Sequence, residues 1–326
     1  GDSLLALYSN KIYEIELTNN TTGAESWDAK TSGTTKDFKG VAYGNNTFVA
    51  VGKDGKIFTS PDGTTWTAQT SGTTKDFQGV AYGNDIFITV GNNGKIFTSP
   101  NGTTWTAQTS GVTVGLNEVT FGNNTFVAVG NQGTIITSAD GITWTAQTSA
   151  TTQAFQGVTY GNNTYIATGD AGIILTSPDG TTWTAQTSGT NQTLQGVTYG
   201  NNTIVVVGDT GIIKTSPNGT TWTAQTSGTT FALDGVTYGN GLFVAVGDLN
   251  GTILTSPDGT TWTAQTSGST KNIFGVVYGN SKFVSVGEDG TILTSSVENT
   301  SSATVSSVPV SGTDTDNSPT SYYFER

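Results

Sequence analysis

Nine carboxylates are the residues of this chain best suited to chemistry: Asp37, Asp76, Glu118, Asp170, Asp209, Asp234, Asp248, Glu288 and Asp289. Two carboxylates facing one cleft can divide the acid and base work of glycoside hydrolysis. The 326 residues include no Cys, His or Met. That excludes disulfides, thiol nucleophiles, the usual zinc ligands and the commonest general base. The nine carboxylates are spread one or two per repeat unit, no pair is marked by its spacing, and they read as solvated turn acids. "DTDN" (314–317) spaces oxygen ligands like half a calcium loop but lacks the glycine and the distant bidentate Glu, so it reads as a polar loop. The chain is therefore expected not to be an enzyme and to carry no cofactor and no metal.

A second set is defined by position. Lys39, Gln78, Asn117, Gln156, Gln195, Asp234 and Phe274 occupy one place in successive repeats. Each follows an apolar residue (Phe38, Phe77, Leu116, Phe155, Leu194, Leu233 in the first six) that is expected to plug the core. The seven are expected to ring the mouth of a central channel. Amides and charges there suit hydroxyl-rich ligands such as glycans, or a protein partner.

The elements that must hold this ring are written as repeats. "TSPDGTTWTAQTSGTT" starts at residue 59 and returns, nearly unchanged, at 98, 176, 215 and 255. All seven Trp share one repeat position, 27, 66, 105, 144, 183, 222 and 262, spaced by 39 until a final 40. The extra residue lies in "GDLNGT" (247–252). A period near 40 with four short strands per unit marks a β-propeller. From Gly79, "GVAYGN" reads as strand A, "IFITVGN" as an in-and-out strand B, "KIFTS" as C and "TWTAQT" as D. Gly-Asn, Asn-Gly and Asp-Gly pairs sit at the joints, where positive φ is wanted. The Trp is expected to pack between neighbouring blades.

Strand A recurs at Val41, Val80, Val119, Val158, Val197, Val236 and Val276. At the N-terminus "LLALYS" (4–9) resembles strand B, "KIYEIEL" (11–17) C and "SWDAKT" (26–31) D. At the other end "ATVSSVPV" (303–310) is a degenerate D candidate. Ser311 precedes Tyr322 by the same 11 residues that separate Ser71 from Tyr82, so "SYYFE" (321–325) reads as a strand A. The expected fold is all-β: a single propeller of four-stranded antiparallel blades, eight in number, closed by a C-terminal strand joining N-terminal ones. One blade comes from 1–32 plus 321–326, repeats run from about 38 to 310, and 311–320 connects. The alternative is seven blades closed by "SWDAKT".

"SPDGTTW" (60–66), "SPNGTTW" (99–105) and "SADGITW" (138–144) resemble the Asp-box of BNR-repeat propellers. That family includes sialidases, some endo-glucanases and photosystem II assembly factor-like proteins. The usual Ser-x-Asp-x-Gly-x-Thr-Trp is one residue shorter here. "AVGKDGKIFTS" (50–60) is similar to the Gly-x-x-Gly and Ile-x-x-Ser run of assembly-factor propellers, and the resemblance covers almost the whole chain. It implies that Asp62, Asp140, Asp179 and Asp258 are turn residues between strands C and D, away from the ligand. Asn101 and Asn218 at the same place agree, since an amide can close a turn but not act as a carboxylate. Sialidases hold their substrate with an arginine triad. The one arginine here is Arg326.

The two faces of such a disc differ in this chain. A–B and C–D turns repeat "GNNT" and "SPDGTTW" almost verbatim. B–C turns and D–A loops vary ("KDG", "NNG", "DLNG"; "TTKDFKG", "VTVGLNE", "TTFALDG"). Divergence of one face fits a binding surface. With net charge −12, neither nucleic acid nor an acidic membrane is an expected partner. Six lysines gather early, Lys36, Lys39, Lys53, Lys56, Lys75 and Lys95, and suggest one positive sector. Asn-x-Thr sequons (Asn45, Asn123, Asn162, Asn201, Asn101, Asn218, Asn250) read as left-handed turn choices multiplied by repetition. No run of 18 apolar residues is present, so no membrane insertion is expected, and no leader is read at Gly1. Cysteine-free composition fits an extracellular or surface location. The expected role is a non-catalytic binding module, with a structural subunit assembled by strand exchange of "SYYFE" into a homo-oligomer as the alternative, and a glycosidase third.

Overall fold

The computed structural model describes the backbone of residues 3–8 and 11–308, and side-chain surroundings for residue 24 and residues 26–295. It divides into two units, 23–297 and the two ends (1–22 with 298–326).

Residues 23–297 form a ring of seven blades. Blade I contains strand A (Phe38–Gly44), B (Thr47–Gly52), C (Ile57–Ser60) and D (Thr67–Gln69), hydrogen-bonded in that order. Blades II to VI repeat it, with strands A at Phe77–Gly83, Leu116–Gly122, Phe155–Gly161, Leu194–Gly200 and Leu233–Gly239. Blade VII has A (Ile273–Gly279), B (Lys282–Gly287) and C in Ile292–Val308, and takes its D strand from Lys11–Lys30.

The blade count is thus seven rather than eight, the alternative of the two expectations. Trp27 supplies the physical reason. Its Nε1 donates to the Ala24 carbonyl at 3.0 Å, as Trp66 donates to Gly63. It packs with Val244 and Val246 of blade VI and Ile273, Phe283 and Leu293 of blade VII. The N-terminal "SWDAKT" therefore closes the ring, and a parallel bridge from Ser26 to Thr266 ties it to blade VI. "LLALYS" is no strand B: Ser3–Tyr8 pairs antiparallel with 11–16 as a hairpin. Residues 303–308 are no strand D, since they continue the strand Ile292–Val308. "SYYFE" and "DTDN" lie outside the described residues.

Seven apolar clusters fill the seven blade–blade interfaces. Strand B is buried throughout and does not alternate between core and solvent. Phe48 and Ala50 face blade VII, while Val49 and Val51 face blade II. Both sides of each sheet are covered, so strand B reads as an unbroken apolar run. Each fully buried Phe, such as Phe38, stabilises the ring by about 1.5–3 kcal/mol relative to exposure.

The repeated turn between C and D is a backbone clamp. Asp62 Oδ1 accepts from Thr64 N (2.8 Å), Thr65 N (2.9 Å) and Ser60 Oγ (3.0 Å). Gly63 sits at φ 76° against Val284 of the neighbouring blade, where a side chain would be strained and crowded. Asn101 makes the same two backbone bonds at 3.0 Å. The clamped carboxylates are held below their ordinary range: Asp140 at about 2 by the Thr143 and Ile142 N–H groups, Asp258 at about 2 chiefly by the Thr261 N–H. The A–B turns use Asn45 (φ 43°) and Asn46 (φ 55°), the geometry of a type I′ hairpin turn.

Candidate binding site at the channel mouth

Each strand A begins with a β-bulge. Phe38 pairs with Gly52 and Gly40 with Val51, leaving Lys39 as the extra residue. The same register shift leaves Gln78, Asn117, Gln156, Gln195, Asp234 and Phe274 unpaired in the other blades. A bulge frees a residue from the in-and-out alternation and re-aims its side chain. Here it turns one side chain per blade toward the axis. All seven residues expected at the mouth line one cavity of about 260 Å³, with Glu118 and the valines of the strand A starts beneath them.

Most of the ring is held by the B–C turns. Gln156 Nε2 donates to Asp170 Oδ1 at 3.0 Å and Gln195 Nε2 to Asp209 Oδ1 at 3.1 Å. Gln78 Nε2 reaches Asn92 Oδ1 at 3.4 Å. Asn117 Nδ2 bridges to Asn131 Oδ1 (3.1 Å) and the Phe155 carbonyl (2.8 Å). The turns and D–A loops meet on one face, as Lys53 N donating to the Asp37 carbonyl at 2.9 Å shows. Asp170 and Asp209, read from sequence as solvated turn acids, instead position the ring amides.

Blades VI, VII and I carry the odd members. Lys39 Nζ lies 3.5 Å from the Phe274 ring centroid and 3.7 Å from Asp37 Oδ2. Burial pushes its ammonium pKa down, partly offset by Asp37. Asp234 Oδ2 is buried without a hydrogen-bond partner. Burial pushes the Asp234 carboxyl well up, and the facing Asp248 carboxylate pushes it further. The positive sector expected from the early lysines is reduced, because Lys36 pairs with Asp54 at 2.7 Å and Lys53 with Asp37 at 2.6 Å.

Glu118 departs most from the sequence reading. Six blades carry glycine at its position, because neighbouring A strands crowd there: a Cβ on Gly40 would lie 2.9 Å from the Gln78 carbonyl oxygen. The Glu118 carboxyl fills space over Gly79 and accepts from Val119 N at 2.9 Å. Half-buried in the channel wall, it is pushed up to about 8 by burial. The broken glycine series was the sequence signal for it. Among the described residues no group of three or more metal-ligating acids is present, and no helix is long and apolar enough to cross a membrane.

No family model matches the sequence, and no curated protein matches it. The fold is shared with solved propellers. A structure of YCF48 bound to D1 peptide superposes with TM-score 0.70 at 17% identity, over 83% of this chain and 95% of that one. YCF48 from Cyanidioschyzon merolae gives 0.67 at 18%, over 83% and 98%. Virginiamycin B lyase from Staphylococcus aureus gives 0.73 at 14%, over 88% and 100%. At these identities the likeness is one of fold: the protein is a single all-β propeller of four-stranded blades.

Proposed function

We propose that the chain is a non-catalytic binding module that takes a peptide segment of a protein partner at the channel mouth. One observation carries the reading. Seven units that otherwise copy one another place seven side chains of five different types, one per blade and each on a bulge, around one cavity. A symmetric structural role needs no such divergence. A similarly shaped propeller was solved with a peptide bound, which supports a peptide as occupant. A glycan fits less well, because the amide nitrogens of Gln78, Asn117, Gln156 and Gln195 are already engaged.

The test is selection of random 12-residue peptides displayed on phage against the full chain. The expected result is enriched peptides whose binding falls in Gln78→Ala and Gln156→Ala and is unchanged in Ile142→Thr on the opposite face. Binding lost in Ile142→Thr alone refutes the reading.

A further inference from the structure

The rim of the variable face has one anomalous blade. In blade I the loop residue Lys36 bonds the turn residue Asp54 at 2.7 Å; in blade VII Lys271 bonds Asp289 at 2.6 Å. Both pairs are separated by 18 residues in the chain. Blade VI has Phe231 and Leu249 at that same spacing, so an apolar pair stands where two other blades have an ion pair. Both are exposed, Phe231 by 38% and Leu249 by 53%, two of the three exposed large apolar side chains among the described residues. Leu249 also sits at φ 53°, a left-handed conformation that costs a leucine on the order of 1 kcal/mol or more. An exposed leucine in that conformation adds nothing to folding.

The turn that carries it is fixed. Asp248 N donates to the Ala232 carbonyl at 3.0 Å and Leu249 N to Asn272 Oδ1 at 2.9 Å, so both flanking loops hold it. Just inward, Asp248 faces Asp234, whose Oδ2 has no partner. Among the described residues no ion pair reaches either carboxyl. Lys39, the nearest cation at the mouth, is engaged by Asp37 and the Phe274 ring.

We infer that the partner docks on Phe231, Leu249, Asp234 and Asp248, and is an extended peptide segment with a lysine or arginine close to a large apolar side chain. The inference rests on the binding-module reading and names the partner's chemistry. A cationic head group at the surface offsets the negative charge of the two facing carboxyls. The apolar side chain covers Leu249 and Phe231, removing exposed surface from water. Asp248 adjoins Leu249 in the chain, and Asp234 follows Phe231 by three residues. At about 3.3 Å per extended residue, the two anchors of the ligand lie within about three positions of each other.

The phage selection described above tests this through the peptides it enriches. Expected are sequences with Lys or Arg within three positions of Leu, Ile, Phe, Met or Trp. A synthetic copy of one should bind at least tenfold more weakly to Asp248→Asn and to Leu249→Asn, and a copy with its basic residue changed to Gln should bind equally weakly. Both substitutions exist in blade II, at Asn92 and Asn93, so the variants should fold; matching thermal unfolding verifies it. Enriched peptides without a basic residue overturn this inference. So does binding that is unchanged in both variants yet weakened by Gln78→Ala and Gln156→Ala, an outcome that leaves the binding-module reading standing. Peptides insensitive to all four substitutions overturn both.

Discussion

The substitution Glu118→Gln should remove a large pH dependence of stability. Burial pushes this carboxyl up to about 8 in the fold, from an ordinary value of 4.5. A raised folded pKa means the folded state holds the proton more tightly. The associated stability is fully present below pH ~4.5 and is lost as pH rises through about 8. At about 1.4 kcal/mol per tenfold change in proton affinity, the gap between the two values sets a ceiling near ~5 kcal/mol. Between pH 5 and 8 the loss is on the order of 3 kcal/mol, reduced to the extent that channel water reaches the carboxyl. The amide introduced by Glu118→Gln would keep the shape and the bond from Val119 N without the charge. Asp234 titrates in the same direction and is present in both proteins, so the difference between them isolates Glu118. Chemical denaturation followed by Trp fluorescence, at pH steps from 5 to 8, gives that difference. The variant should gain on the wild type steadily across the window, by roughly 2–3 kcal/mol at its upper end. Parallel curves would refute the argument that the channel wall buries this carboxyl.

Other consequences concern the frame. Asp62→Ala removes the acceptor of two backbone N–H groups and should cost about 1 kcal/mol, while Asp62→Asn, already tolerated as Asn101, should cost a few tenths. Because Asp140 and Asp258 titrate at about 2 in the fold, their contribution is present above pH ~3.8 and lost as pH falls through about 2; acid unfolding of Asp→Asn turn variants should lack that component. Thr168 carries a buried hydroxyl without a partner where the other blades carry Val, so Thr168→Val should raise stability by about 1 kcal/mol in a thermal melt. Deleting residues 1–31 removes Trp27 and the last D strand, and should lower the melting temperature by at least ~5 °C and expose the edge of blade VII to hydrogen exchange.

Repetition made much of this legible. The Trp period, the turn residues and the seven ring positions follow from aligning the chain with itself, because each repeat meets nearly the same surroundings. Closure was harder to read. "LLALYS" has strand-like alternation whether it pairs in a blade or with its own neighbour, and local pattern does not name the partner. The decisive signal was Trp27, which keeps the repeat's tryptophan position, with Ala24 at φ 69° three residues earlier where the other blades have glycine. The chemistry of the mouth was legible as residue types but not as environments. Glu118 and Asp234 look like any turn acid until neighbouring strands surround them. The exchange of an ion pair for Phe231 and Leu249 needs two loops in register, which only the fold brings together.

The central claim is that the ring of bulge residues on the variable face is where this protein meets its partner. Hydrogen exchange with and without a selected peptide tests it most directly. Protection should centre on the starts of the A strands, around residues 39, 78, 117, 156, 195, 234 and 274, and on the turn at 248–251. Protection confined to the "GNNT" and "SPDGTTW" turns would contradict it.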